Sequence, residues 1–283
     1  MTINADFIKH LEKFDIIIKK KIASSFIGER RSERTGSGLV FSDYANYSFG
    51  DDFKHIDWKV YGRTDRLFVK RFEEDRNLTV HLIVDFSGSM NFGSSIKKFE
   101  YASMVALGFS YIALRNNEKF VLSTFDDKLE FFKPKKGGQQ LASILHYLNS
   151  KKASGVSSFE SSLFQYKALV NSKALIVIIS DFFYDIEQIK NVLYRYKNNK
   201  VKLVQVLDSM ERKLNIDGDY TLIDLESNAS MKTFIDPYLK KKYFERLEFH
   251  NSKIKDVCGM VGADFYSVST NQDVFDVFYN ILN

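Results

Sequence analysis

The pattern that most constrains this chain is an alternation of short apolar segments with longer amphipathic ones, which runs from about residue 78 to the C-terminus. The apolar segments do not alternate with polar residues, which is typical of strands buried on both faces of a parallel sheet. Strand character covers residues 78–84, 119–125, 128–132, 174–180, 201–207 and 264–268. Helical character covers residues 97–116, 139–150, 159–170, 186–196, 238–257 and 273–282. The alternation predicts an α/β fold, with a Rossmann-like, doubly wound, mostly parallel sheet covered by helices.

Two different segments precede this α/β domain, which we assign to residues 78–283. Apolar residues at three- and four-residue spacing predict an N-terminal amphipathic helix within residues 1–28. Residues 29–77 mix charges, glycines and aromatic residues in short segments. This mixture indicates a small β-rich unit between the helix and the α/β domain.

The composition is that of an ordered globular protein, with 45% hydrophobic residues, 27% charged residues and only 2 prolines. The longest clean apolar run, residues 174–179, is far shorter than the roughly 18 residues that a membrane span needs. Cys258 is the only cysteine, so no intrachain disulfide forms, and we expect it to be a small buried apolar residue. These features predict a cytoplasmic protein without membrane insertion.

The formal net charge of +5 does not point to a nucleic-acid partner, because the basic residues are spread thinly along the chain. Their distribution is typical of solvated helix faces, and we expect no nucleic-acid binding.

Polar residues with metal-binding potential follow two of the predicted strands. The first strand ends in Asp85, with Ser87 and Ser89 just beyond it, and the strand at residues 174–180 is followed by Asp181. Ligands bind at the carboxyl edge of such sheets. Oxygen ligands suit a hard divalent cation, and we predict Mg²⁺, with Mn²⁺ or Ca²⁺ as alternatives. The competing interpretation is that the aspartates cap the following helices and the serines are turn residues.

The segment Asp85-x-Ser87-x-Ser89 resembles the first motif of the metal-ion-dependent adhesion site of von Willebrand factor A domains, and Asp181 resembles the third motif. The second motif of that family is a threonine, and its nearest counterpart here is Ser157, with Ser154 or Ser158 as alternatives. The resemblance implies a cation site that engages an acidic side chain of a protein ligand without performing catalysis.

A second resemblance lies upstream, in Gly50-Asp51-Asp52 and Asp57-Trp58. Together with the A-domain motifs, these residues resemble the bacterial domain-of-unknown-function family fifty-eight, whose genes commonly lie beside those of MoxR-type AAA+ ATPases. Ala45 and Phe49 depart from the family pattern, which has arginine and proline at these positions. The resemblance implies an adaptor or co-chaperone-like partner of a MoxR-type ATPase.

Gly50, Asp51 and Asp52 form a turn signal. We interpret Trp58 as a buried anchor of the small β-rich unit, with Asp57 paired to Arg63 or to a backbone group. The alternative is that Trp58 recognises a partner.

Two other functional classes fit the sequence less well than a binding protein. A metal-dependent phosphatase of the haloacid-dehalogenase type needs a second aspartate two residues after the first, where this chain has Ser87. An RNA-binding A-domain protein is disfavoured because most of the 26 phenylalanines lie at apolar positions that core packing explains. The sequence therefore predicts a protein that is not an enzyme.

Overall fold

The computed structural model describes residues 3, 7, 9–11, 40–73, 78–170, 173–227 and 229–282. The chain divides into two compact units: a smaller one over Ile17–Asn77, and a larger one that combines Met1–Ile16 with Leu78–Leu282. Most of the predicted N-terminal helix and residues 29–39 lie outside the described residues, although residues 7 and 9–11 are helical.

The smaller unit contains two antiparallel strands, β1 (Val40–Asn46) and β2 (Phe68–Glu73), with a helix α1 (Trp58–Thr64) between them in sequence. Asp57 caps this helix by accepting hydrogen bonds from the backbone N–H groups of Lys59 and Val60. Its carboxylate also pairs with the Lys70 ammonium at 3.0 Å and accepts a hydrogen bond from the Tyr44 hydroxyl at 2.8 Å. The prediction that Asp57 pairs with Arg63 is wrong, because the cation beside Asp57 is Lys70 on β2. The predicted backbone contact is confirmed.

Gly50, Asp51 and Asp52 form the predicted turn. The positive φ of +110° at Gly50 favours glycine there. The Asp51 carboxylate accepts a hydrogen bond from the Ser48 N–H at 2.9 Å, and the Asp52 carboxylate accepts one from the Lys54 N–H at 3.0 Å. These contacts account for the two aspartates as turn and cap residues.

The predicted burial of Trp58 is wrong, because 62% of the residue is exposed. It lies at the first position of a seven-residue helix that has no buried residue. Its ring contacts Tyr61 in an edge-to-face arrangement, with the ring centroids 6.1 Å apart. The apolar interior of this unit is instead supplied by Ile56 and Val69, which are 5% and 8% exposed.

The larger unit is built on a six-stranded sheet. Its strands are β3 (Thr79–Asp85), β4 (Lys119–Phe125), β5 (Leu129–Glu130), β6 (Ala174–Ser180), β7 (Lys200–Leu207) and β10 (Asp264–Ser269). Their order across the sheet is β10-β7-β6-β3-β4-β5. All neighbouring pairs are parallel except β4 with β5. The predicted fold class is confirmed, and the strand predicted at residues 128–132 is reduced to the short edge strand β5.

Helices cover both faces of this sheet. They are α2 (Lys98–Arg115), α3 (Gly138–Ser150), α4 (Phe159–Tyr166), α5 (Ile186–Tyr196), α6 (Ser209–Lys213), α7 (Pro237–Val261) and α8 (Val274–Leu282). Helix α2 contacts α3 and α8, whereas α5 contacts α4 and α7, which gives two helical layers. Gly108 of α2 allows the close approach of α8, because a Cβ atom at this position would lie 1.8 Å from the Phe278 ring.

The core between the sheet and α4, α5 and α7 includes Cys258, which is 2% exposed. Burial raises the pKa of its thiol to about 12, so the thiol stays protonated at neutral pH, as the sequence predicts for a buried apolar residue. Within the described residues, no helix is long and apolar enough to cross a membrane.

An antiparallel hairpin, formed by β8 (Gly218–Ile223) and β9 (Ser230–Ile235), was not predicted. It forms a separate two-stranded sheet after α6. Most of its residues are exposed, including Ile223, Met231 and Phe234. The two strands are short, and neither face is buried in a core, so they lack the long apolar runs that mark the strands of the main sheet.

We predict that Trp58→Ala lowers the free energy of unfolding by less than about 1 kcal/mol, because an exposed ring leaves no cavity when it is removed. The matched core variant Ile56→Ala should cost roughly 2–5 kcal/mol. Urea denaturation followed by circular dichroism measures both changes. Equal destabilisation by the two variants would contradict the exposed position of Trp58.

Candidate metal site

The predicted metal-binding residues lie at the point where the strand order of the sheet reverses. From β3 the chain passes to β4 on one side, and it then returns to β6 on the other side of β3. Such a switch point lies at the carboxyl edge of the sheet, where ligands bind in folds of this class. Asp85 is the last residue of β3, and Asp181 directly follows β6.

Asp85 is fully buried, and hydrogen bonds hold its carboxylate in one orientation. One oxygen, Oδ1, accepts a hydrogen bond from the Ser87 backbone N–H at 2.8 Å. The other, Oδ2, accepts hydrogen bonds from the Ser180 hydroxyl at 2.7 Å and from the Tyr184 hydroxyl. The register that pairs Val84 with Ile179 brings Ser180 beside Asp85.

The two serines of the Asp85 loop lie close together, with 3.1 Å between the Ser87 and Ser89 hydroxyl oxygens. Ser87 is buried, and Ser89 is half-buried. Between them, Gly88 permits a close approach of two other loops. A Cβ atom there would lie 2.4 Å from the Leu225 carbonyl oxygen and 3.1 Å from the Gly155 carbonyl oxygen.

Of the three serines considered for the second motif, Ser157 is the one whose hydroxyl joins the hydrogen-bond cluster around Asp85. Its oxygen lies 2.8 Å from the Tyr184 hydroxyl oxygen, and Tyr184 in turn donates to Asp85. The Ser158 hydroxyl donates to the Asp126 carbonyl oxygen at 2.6 Å instead. The Ser154 backbone N–H donates to the Phe86 carbonyl oxygen at 2.9 Å, which fixes this loop beside the Asp85 loop.

Asp181 forms an ion pair inside the protein with a cation that the sequence analysis missed. The Lys98 ammonium, 1% exposed, lies 2.9 Å from Asp181 Oδ2 and 2.7 Å from Glu211 Oε1. The other Asp181 oxygen accepts a long hydrogen bond, 3.4 Å, from the Phe183 N–H. Asp181 does not cap the next helix, because Asp185 is the N-cap of α5. The capping interpretation is therefore wrong for Asp181.

The electrostatic environment at Asp85 favours an added positive charge. Burial raises the pKa of this carboxyl to about 6, and the negative charge of Asp181 adds to the rise, although hydrogen bonds from Tyr184, Ser87 and Ser180 oppose it. Burial and the neighbouring carboxylates also raise the pKa of Tyr184 far above its usual value. Tyr184 therefore stays protonated, and its hydroxyl donates a hydrogen bond to Asp85.

The donor set consists only of oxygens: the Asp85 and Asp181 carboxylates and the Ser87, Ser89 and Ser157 hydroxyls. Such a set fits a hard divalent cation such as Mg²⁺. In the described part of the chain, no group of three or more His, Cys, Asp or Glu side chains is arranged as a metal site. A cation here would therefore depend on serine hydroxyls, and two carboxylates would leave it little excess negative charge.

Three residues of this cluster escaped the sequence analysis as site residues: Lys98, Ser180 and Tyr184. Ser180 and Tyr184 flank Asp181, so the sequence Ser180-Asp181-Phe182-Phe183-Tyr184 carried a local signal in its polar residues after an apolar strand. Lys98 carried none, because its partners are 83 and 113 residues away in sequence.

Comparisons with known proteins show what this chain is similar to. A family model described as "Protein of unknown function DUF58" matches residues 43–253. The uncharacterized protein Rv1480 of Mycobacterium tuberculosis is 23% identical over 268 residues, which cover 93% of this chain and 84% of that protein.

Two solved structures are among those that match this chain. BatB from Bacteroides thetaiotaomicron is 11% identical, with 72% of this chain and 96% of that chain covered and a TM-score of 0.45. The SpRpn10 VWA domain is 12% identical, with 72% and 94% covered and a TM-score of 0.47.

We predict that Lys98→Met lowers the free energy of unfolding by roughly 3–5 kcal/mol at neutral pH, because it leaves two buried carboxylates without their cation. Burial already raises the pKa of Glu211 in spite of Lys98, and loss of the ammonium raises it further. A carboxyl with a raised folded-state pKa destabilises the fold above that pKa, so the deficit should shrink on acidification. Urea denaturation of variant and wild type between pH 7 and pH 5 measures this.

The control is Lys190→Met, which removes a half-exposed lysine paired with Glu187 on α5. Its expected cost is below about 1 kcal/mol at either pH. A Lys98→Met variant as stable as this control would show that the buried ion pair has no structural role.

Proposed function

The chain belongs to the DUF58 family of proteins of unknown function, and we propose that it is a non-enzymatic, cation-dependent protein-interaction module. In this proposal Asp85, Ser87, Ser89, Ser157 and Asp181 hold a divalent cation, Mg²⁺ being the first candidate. The bound cation engages an acidic side chain of a protein ligand. The working partner is a MoxR-type AAA+ ATPase, for which the protein acts as an adaptor or co-chaperone-like subunit.

The observation that carries the proposal is the convergence of oxygen donors at the switch point of the sheet. Ser87 and Ser89 present hydroxyl oxygens 3.1 Å apart next to Asp85, whose pKa is raised by burial. Burying a carboxylate next to another one is costly unless a positive charge compensates. Lys98 compensates Asp181, whereas the described hydrogen-bond partners of Asp85 are all neutral donors.

The residues around the site have distinct roles in this proposal. Ser180 and Tyr184 fix the Asp85 carboxylate, and Lys98 and Glu211 fix Asp181 from the protein side. Asp85 and Asp181 together balance the charge of a divalent cation, and the neutral serine hydroxyls leave a coordination position for a carboxylate of the ligand. Half-buried Ser89 marks the side from which a ligand would approach.

The residues around Asp85 favour a binding role over phosphoryl transfer. The position two residues on, where a phosphatase of this type needs an acid/base carboxylate, is Ser87. Tyr184 cannot serve as a base, since burial raises its pKa far above neutrality.

The smaller unit offers an aromatic surface that fits protein recognition. Phe49, Phe53 and Trp58 are 104%, 65% and 62% exposed, and they lie in or beside the Gly50-Asp51-Asp52 and Asp57-Trp58 motifs. Exposed aromatic side chains of this kind are enriched in the energetically dominant parts of interfaces. We propose that this aromatic surface contributes to binding of the ATPase.

We predict that Mg²⁺ or Mn²⁺ raises the melting temperature, because a cation that binds only the folded state stabilises it by mass action. At about 100 times the Kd, the increase should be roughly 5–10 °C. Asp85→Ala should abolish the cation-dependent increase, whatever it does to the starting stability. Differential scanning calorimetry with and without a chelator gives the measurement.

Asp256→Ala, which removes an exposed carboxylate on α7, serves as the matched control and should keep the full increase. A wild-type protein that melts at the same temperature with millimolar Mg²⁺ and with chelator would refute the cation site.

We predict that a MoxR-type ATPase binds the purified protein in the presence of Mg²⁺. Binding should weaken at least about tenfold after chelation or after Asp85→Ala, since either change removes the cation that accepts the ligand carboxylate. Biolayer interferometry measures the affinity, with a non-hydrolysable nucleotide loaded on the ATPase beforehand so that chelation does not change its nucleotide state.

Two results would contradict this assignment. Binding that is indifferent to both treatments would place the contact away from the cation site. Steady phosphatase turnover by the protein alone, abolished by Asp85→Asn, would make the protein an enzyme.

A further inference from the structure

A cavity lies in the larger unit between helix α3 and the segment that follows strand β5, and we call it the α3 cavity. Its volume is about 350 Å³, at the lower end of the range for small-molecule sites. Its apolar lining includes Leu122 of β4 and Ile144 of α3, which are buried, and Phe132, which is partly exposed. Lys133, Lys135 and Ser143 contribute polar groups to the same cavity.

Contacts within the protein hold the walls of the α3 cavity in place. The backbone N–H groups of Phe120 and Lys135 each donate to the other residue's carbonyl oxygen, at 3.0 Å and 3.2 Å, which ties the segment after β5 to β4. Gln140 Nε2 donates to the Phe120 carbonyl oxygen at 3.2 Å, which ties the start of α3 to the same strand. The rings of Phe132 and Tyr147 pack edge to face, with their centroids 5.1 Å apart. Binding a ligand here therefore requires little ordering of the walls.

The charged residues that line the α3 cavity are both lysines. Lys133 and Lys135 are exposed, and within the described residues neither forms an ion pair. No carboxylate is among the described residues that line the cavity. Glu130 accepts a hydrogen bond from the Tyr147 hydroxyl at 2.5 Å, but the Lys151 ammonium pairs with it at 2.7 Å. Two ammonium groups beside an apolar floor favour a ligand that joins an anionic group to an apolar body.

We propose that the α3 cavity binds a small carboxylate with an apolar body. The apolar body contacts Leu122, Phe132 and Ile144. The carboxylate accepts hydrogen bonds from the ammonium groups of Lys133 and Lys135, and such charge-assisted hydrogen bonds are about twice as strong as neutral ones. None of the proposed cation ligands lines the cavity, so binding does not require the divalent cation of the proposed function.

The test uses octanoate and the full-length chain in the presence of a chelator. Binding is followed by NMR of the Ile144 δ-methyl group, whose resonance is identified by its absence in Ile144→Val. We expect saturation below about 10 mM. Octanol, the uncharged analogue, should bind at least about fivefold more weakly, because it forms no ion pair with the lysines. The dipeptide acetyl-Leu-Glu-amide should also bind at least about fivefold more weakly, because its backbone adds bulk to the same two groups.

Charge variants locate the carboxylate. The double variant Lys133→Gln/Lys135→Gln should weaken octanoate binding at least about fivefold. The matched control Lys136→Gln/Lys152→Gln removes two exposed lysines that do not line the cavity, and it should leave the Kd unchanged. Equal Kd values for the two double variants would overturn the proposal.

Steric variants locate the apolar body. Ser143→Trp places a large ring in the cavity from an exposed position of α3, and it should abolish octanoate binding. Ala142→Trp, at the exposed neighbouring position outside the cavity, should retain it, and circular dichroism checks that both variants are folded. A wild type that shows no saturation up to about 10 mM, or binds octanol as tightly as octanoate, would overturn the proposal. Tighter binding of the dipeptide than of octanoate would overturn it too, because the cavity would then be a docking site for a protein segment.

Discussion

The arrangement of this protein depends on the placement of two buried carboxylates, Asp85 and Asp181, at the carboxyl edge of the neighbouring strands β3 and β6. Burial raises the cost of ionising Asp85, and the negative charge of Asp181 raises it further. The protein resolves the conflict asymmetrically. Asp181 receives the Lys98 ammonium, whereas Asp85 receives the hydroxyls of Ser180 and Tyr184 and the Ser87 N–H. This asymmetry leaves Asp85 with neutral hydrogen-bond donors as its described partners.

Much of the larger unit could be predicted because its signals are local. The apolar strands β4 and β6 and the helix α5 have the predicted limits, since burial on both sheet faces leaves uninterrupted apolar runs in the sequence. The hairpin of β8 and β9 could not be found this way, because both of its faces are mostly exposed. The predicted burial of Trp58 is wrong for a related reason. Several apolar residues lie close together in this part of the sequence, and the sequence does not show which of them is buried.

The residues of the candidate site also fall into two groups, those that a local sequence pattern identifies and those that it does not. Asp85, Ser87, Ser89 and Asp181 follow strand ends, so their position at one edge follows from the parallel sheet alone. Lys98 reaches the same region from a helix far away in sequence, through contacts that no local pattern encodes. The sequence does not distinguish Ser154, Ser157 and Ser158, because the neighbours of a hydroxyl depend on the three-dimensional path of its loop.

The buried ion pair of Lys98 also has a consequence for the order in which the protein assembles. Its partners Asp181 and Glu211 follow it by 83 and 113 residues, so the nascent chain carries the lysine long before either carboxylate is available. Contacts across such separations form late and slow the folding of a domain. Until β6 and the segment after β7 dock, an ammonium at the start of α2 opposes burial of that helix end. The charged cluster thus couples completion of the sheet to docking of α6, and a partly folded chain lacks the assembled candidate site.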